Sequence, residues 1–123
     1  MENRERRLRS IVHAFLPMRA SKVLLEPYLS AAFQDALKTH SRVSHVYIGT
    51  RPKSPYHFMI ARKTSKALRT YVRRLDSHGV LCLLGPKGQA YDEIQDDLQS
   101  MIRLTWDVQP ETPSETIEVY MKQ

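Results

Sequence analysis

The amino-acid sequence predicts an α+β domain: a small, mostly antiparallel sheet packed against two main helices. Three observations carry that expectation. Apolar residues recur at helical spacing in two segments, near 26–40 and 64–77. Short segments rich in β-branched and aromatic residues lie between and after them. The last of these, Thr116–Met121, alternates cleanly, with Ile117, Val119 and Met121 on one side and Glu118 and Tyr120 on the other.

In chain order, residues 1–9 read as a basic flexible arm and residues 10–123 as a single α+β domain. Residues 10–18 are apolar enough for a short strand or one helical turn, which Pro17 ends. Leu25, Leu29, Phe33, Ala36 and Leu37 mark the first main helix, and Pro27 is tolerated in its first turn because an N–H there has no partner to lose. Val43–Ile48 and Tyr56–Ala61 read as the two strands of a hairpin around the basic loop 49–55, whose two prolines cannot donate to a ladder. Leu68, Tyr71, Val72 and Leu75 mark the second main helix, and Gly79 is its stop signal. Val80–Leu84 is a continuous apolar run, read as a buried strand, and Gly85–Gly88 turns the chain. Asp92–Ser100 is weakly helical, and the strands 101–108 and 116–121 are expected to pair antiparallel across the loop 109–114.

The chain has 123 residues, 41% of them hydrophobic and 26% charged, which suits one globular domain. Its single cysteine, Cys82, allows no intrachain disulfide and fits a reducing compartment. The longest apolar runs are too short to cross a bilayer. His13, Pro17 and Arg19 interrupt what a signal peptide would need, so the N-terminus reads as mature sequence, and no glycine follows Met1 for myristoylation.

Charge is distributed unevenly. Residues 1–74 hold 16 Lys and Arg against 4 Asp and Glu, a net of +12, whereas residues 75–123 hold 3 against 9, a net of −6. A basic face would attract phosphates, and an acidic face could meet the basic face of another copy. The residues expected to bind an anionic surface are Arg4, Arg6, Arg7 and Arg9 in the arm, Arg51 and Lys53 in the loop, and Arg62, Lys63, Lys66, Arg69, Arg73 and Arg74 along the second helix. Arg62, Lys66, Arg69 and Arg73 follow i, i+4, i+7 and i+11, one stripe of a helix. Asp92, Glu93, Asp96 and Asp97 form the densest acidic patch and are expected to serve self-association, with a solvated helix face as the plainer reading.

Signals for catalysis are thin. The five histidines, His13, His40, His45, His57 and His78, show no metal spacing, and no metal or cofactor is expected. No nucleophile elbow, P-loop or dinucleotide glycine pattern occurs. Cys82 sits in an apolar run and reads as a buried, inert thiol. The expectation is a protein that is not an enzyme. Tyr47, Tyr56 and Phe58 lie in strands, where packing rather than base stacking is their expected role, so the sequence favours charge binding over base reading.

The stretch His45-Val46-Tyr47-Ile48-Gly49, with Lys53, Pro55-Tyr56 and Ile60-Ala61, resembles a segment of rhabdovirus matrix proteins of the vesiculovirus type. Gly88-Gln89-Ala90-Tyr91 and Thr116-Ile117-Glu118-Val119 resemble two later elements of that family, so that the resemblance spans about residues 28–121. It implies an α+β matrix-like or matrix-derived accessory protein that binds anionic membrane and nucleocapsid, associates with itself and meets a host protein. It places the chain in host cytoplasm, at the inner face of the membrane and in the virion, with the nucleus left open. The arm is shorter and richer in arginine than the family's lysine-rich one, and no Pro-Pro-x-Tyr budding motif is present. The alternative is a small basic nucleic-acid-binding protein, such as a silencing suppressor or a ribonucleoprotein subunit.

Overall fold

The structure, a computed structural model, describes residues 2–16, 22–27, 31–40, 43, 45–49, 55–63, 68–86, 102–107 and 115–122. Nine elements follow in order: α1 (Glu2–Phe15), β1 (Lys22–Leu25), α2 (Ala31–Lys38), β2 (His45–Ile48), β3 (Tyr56–Arg62), α3 (Leu68–Arg74), β4 (Leu75–Pro86), β5 (Ile102–Asp107) and β6 (Glu115–Met121). All six strands belong to one sheet in the order β2-β1-β3-β4-β6-β5. The first four are parallel, and β6 runs antiparallel between β4 and β5.

This architecture corrects the expected fold class. The sheet is mixed with a parallel half, not small and mostly antiparallel, and it is covered on both faces. Three consecutive apolar residues in β1 (Val23, Leu24 and Leu25) are buried on alternate sides, which is the pattern of a strand buried on two faces. Val23 and Leu25 face one side with Phe58, Ile60, Val80, Cys82, Leu84, Ile117 and Val119, and there α1 and α2 lie on them through Leu8, Ile11, Val12, Phe33 and Leu37. Leu24, Met59, Ala61, Leu81 and Leu83 face the other side, where α3 supplies Leu68, Tyr71 and Val72.

The expected hairpin does not form. β2 and β3 are not neighbours: β1 lies between them and runs parallel to both, with Val23 opposite Val46 on one side and Phe58 on the other. Local β-propensity is the same in a hairpin and a crossover, and the third partner, the four-residue strand Lys22–Leu25 just ahead of the expected helix 26–40, was not foreseen. That helix is observed over Ala31–Lys38, and Leu25, expected to share its apolar face, ends β1 instead. The second helix closes early at Arg74, and the chain passes straight into β4. Ser77–Gly79 bulge out there, with His78 at φ 64° and the β3–β4 register shifting between Tyr56 and Phe58. The expected antiparallel pairing at the C-terminal end is present, with Trp106 opposite Ile117 and Leu104 opposite Val119.

The residues expected to form a flexible arm lie in α1 instead. Leu8, Ile11, Val12 and Leu16 recur at helical spacing and are buried, so the arginines ride on a helix whose other side covers the sheet. Among the described residues, no helix is long and apolar enough to cross a membrane.

Candidate functional site

From β1 the chain passes through α2 to β2 on one side, and from β2 it crosses back to β3 on the other side of β1. The crossovers β1–α2–β2 and β3–α3–β4 move in opposite directions along the sheet, and because parallel crossovers share one hand α2 and α3 lie on opposite faces, so the strand order reverses between the carboxyl ends of β1 and β3. In open sheets of this kind, ligands bind at that reversal of strand order.

Glu26 is the first residue past β1. Its N–H donates to the Ile60 carbonyl at 2.9 Å, so it remains on the ladder with β3, and the Gly49 N–H donates to the Leu25 carbonyl at 3.0 Å from the other side. Gly49 ends β2 with φ +88°, a conformation that favours glycine. The Glu26 carboxylate is only 4% exposed. Its Oε1 accepts from the Arg62 backbone N–H at 2.9 Å and from Arg62 Nε at 2.8 Å. Its Oε2 accepts from the Tyr71 hydroxyl at 3.1 Å, reached from α3. A carboxylate this buried is tolerable because it is paired and hydrogen-bonded. The Arg62 side chain, in contrast, is 46% exposed.

The next residue repeats the arrangement with a different carboxylate. Lys63 donates its N–H to the Leu84 carbonyl at 2.8 Å. Its Nζ is buried, and it donates to Thr116 Oγ1, to the Pro86 carbonyl at 3.3 Å and to Glu118 Oε1 at 3.1 Å. Glu118 Oε2 in turn accepts from the Tyr120 hydroxyl. Gly85 makes room for this crossing, since a Cβ there would lie 2.9 Å from Lys63 Cβ. Two consecutive cations at the end of the central strand thus hold two buried carboxylates, one from β1 and one from β6.

The basic residues expected to form one anion-binding surface are divided. Arg6 and Arg9 are exposed and Arg7 is half-buried on α1, and Arg4 falls in that helix's first turns. Arg69 and Arg73 are exposed on α3, across the sheet from α1. Arg74 is half-buried, with one terminal guanidinium nitrogen buried and unpaired among the described residues. Arg62 and Lys63 serve the two carboxylates. Arg51, Lys53 and Lys66, and the acidic Asp92, Glu93, Asp96 and Asp97, lie outside the described residues. Sequence reasoning passed over Glu26, Tyr71, Glu118 and Tyr120. A carboxylate directly after an apolar triplet was the available signal for Glu26, and the polar side of the β6 alternation was the signal for Glu118.

Cys82 is buried in β4, and burial pushes its thiol pKa well above the ordinary range. No cluster of three or more His, Cys, Asp or Glu residues that could hold a metal is present among the described residues.

No protein-family model matches the chain, and no curated protein resembles it in sequence. Solved structures do share its fold. A protein-(glutamine-N5) methyltransferase from Alicyclobacillus acidocaldarius superposes with a TM-score of 0.60 at 11% identity, over 100% of this chain and 94% of that one. A SAM-dependent O-methyltransferase from Thermotoga maritima gives 0.58 at 12% identity, over 93% of this chain and 64% of that one. Phosphoethanolamine N-methyltransferase 2 from Haemonchus contortus, in complex with S-adenosylhomocysteine, gives 0.59 at 15% identity; this chain is covered over 99% but spans only 38% of that enzyme. The fold is therefore the Rossmann-like α/β fold of class I SAM-dependent methyltransferases.

That finding overturns the resemblance to rhabdovirus matrix proteins. The segment that carried it, His45–Ala61, forms two strands separated by β1 in a parallel sheet. The expectations of a non-enzymatic matrix-like protein, or of a simple nucleic-acid-binding one, give way with it: the solved structures that share this fold are methyltransferases, not matrix proteins.

Proposed function

We propose that this chain is a methyltransferase whose donor, S-adenosylmethionine, is held at the carboxyl ends of β1, β2 and β3. The observation that carries the reading is the coincidence of the strand-order reversal with the Glu26–Arg62–Tyr71 cluster, a built polar site at the place where this architecture receives ligands.

The donor set fits that molecule. Its amino-acid end is a zwitterion next to a sulfonium, and the crevice offers a paired carboxylate and guanidinium with a phenol hydroxyl beside them. The sequence after β1 reads Glu26-Pro27-Tyr28-Leu29-Ser30, and no glycine precedes Gly49. The glycine-rich turn by which dinucleotide sites bring backbone against a pyrophosphate is thus absent, and recognition falls to side chains. When bound, the donor supplies a methyl group on a cationic sulfur, ready for attack by a nucleophile. The chain's own part is to bind and orient: Glu26 carries the negative charge, and Tyr71 and the Arg62 backbone N–H fix its carboxylate.

Isothermal titration with S-adenosylmethionine and S-adenosylhomocysteine tests the reading. Saturable binding of both is expected, with a raised melting temperature, because a ligand present at about 100 times its Kd stabilises the folded state by about 2.7 kcal/mol. Absence of binding by either at millimolar concentration overturns it.

A further inference from the structure

α1 buries Leu8, Ile11 and Val12 against the sheet, and Arg6, Arg9 and His13, at i, i+3 and i+7, are exposed along its opposite side. Between Arg6 and His13 the helix holds three arginines and no acid. The exposed His13 ring stacks on His40, just past α2, with centroids 5.3 Å apart and planes tilted by 34°. On α2 itself, exposed Lys38 and exposed Asp35 offset each other.

The stacked pair gives the stripe a direction. α2 follows the carboxyl end of β1 and precedes the amino end of β2 in a parallel crossover, so His40 lies toward the end of the sheet away from the crevice. α1 packs alongside α2 with its last turn at His40, so Arg9 and Arg6 lie progressively nearer the crevice, Arg6 about 10 Å along the axis from His13.

We propose that this side of α1 is a track for single-stranded nucleic acid. Its arginines meet phosphates, and the imidazole at the far end offers a planar surface on which an unpaired base stacks. A row of cations ending on an exposed ring is what separates this ligand from an anionic lipid surface or an acidic protein, which use the charge alone. The place of the strand as methyl acceptor rests on the methyltransferase reading; the track needs only the geometry of α1. In that role a nucleophilic nitrogen or oxygen of the strand bonds the methyl carbon as the carbon–sulfur bond breaks, its electrons staying on sulfur, and the acceptor's proton passes to water.

Fluorescence anisotropy of a labelled single-stranded RNA of mixed sequence, read over a range of salt, tests the track. The full chain is compared with Arg6→Gln/Arg9→Gln, His13→Ala and His13→Phe, and with Arg69→Gln/Arg73→Gln, whose arginines lie across the sheet. Loss of two phosphate contacts should flatten the dependence of log K on log salt by about 1.4, at about 0.7 per contact. His13→Ala should weaken binding about tenfold, and His13→Phe, which keeps a ring, should restore most of it. The pair on α3 should change binding less than the pair on α1. Equal weakening by both arginine pairs, or no effect of His13→Ala, would overturn the track. So would phosphatidylserine vesicles that bind with the same dependence on Arg6 and Arg9 while the RNA does not bind. Strand binding that needs Arg6, Arg9 and His13, without any binding of S-adenosylhomocysteine, keeps the track and removes the acceptor role. Binding of S-adenosylhomocysteine without strand binding keeps the methyltransferase reading and overturns the track.

Discussion

Lys63 and Glu118, fifty-five residues apart, form an ion pair with Nζ 3.1 Å from Oε1, the lysine side chain fully buried and the glutamate 10% exposed. A buried charge that loses its partner finds no water in its place, so breaking such a pair costs about 3–5 kcal/mol. Lys63→Ala is expected to lower the unfolding free energy in urea by that order. Lys63→Met combined with Glu118→Gln removes both charges, retains an acceptor for Tyr120, and is expected to restore most of the loss.

Gly85→Ala tests the same crossing from β4. Its Cβ would stand 2.9 Å from Lys63 Cβ and 3.0 Å from Cγ and Cδ, in a buried stem that cannot swing into solvent. Overpacking of this kind costs about 1–3 kcal/mol, read as a lower denaturation midpoint with an unchanged m-value.

Tyr71→Phe removes one donor from a buried, charged acceptor, Glu26 Oε2, without changing the apolar volume of the ring. The expected loss is about 1–3 kcal/mol of stability.

Cys82 ties stability to alkaline pH. Its folded thiol titrates well above the unfolded value of about 8.5, because burial penalises the thiolate. Above that pH the unfolded chain releases a proton that the folded chain retains, so stability falls as pH rises. The slope from this group approaches about 1.4 kcal/mol per pH unit. Urea melts between pH 8 and 10 should show this extra slope in the wild type and not in Cys82→Ala. A native-state thiol label should react slowly and become fast in denaturant.

The exposed arginines of α1 and α3 lie on opposite faces of the sheet. A polyanion laid on one face therefore meets one set. Arg6→Glu with Arg9→Glu, and separately Arg69→Glu with Arg73→Glu, should each shorten retention on heparin without abolishing it, and the two pairs should add. Complete loss from either pair alone would place all polyanion binding on that face.

The periodicity of single elements was legible in the sequence. Leu68, Tyr71 and Val72 declare a helix face, Val80–Leu84 declares a strand buried on both sides, and the alternation of Thr116–Met121 declares an antiparallel strand. The Cys82 environment followed from the same apolar run. What misled was adjacency. His45–Ile48 and Tyr56–Ala61 carry strand propensity and a turn-rich loop between them, and nothing local says that four residues from upstream will slip in between.

The sequence by itself determined which residues are apolar, with what period, and where charge accumulates, because those properties belong to each residue and its near neighbours. The tertiary structure alone decided that β1 separates β2 from β3 and that Arg62 and Lys63, adjacent in the chain, turn to carboxylates from opposite sides of β3. It also decided that the glutamates at 26 and 118 are buried. A basic stripe reads as surface until the fold brings an acid within reach. Pairing across thirty-six and fifty-five residues is set by the strand order, which is settled by burying both faces of one sheet and not by any local preference.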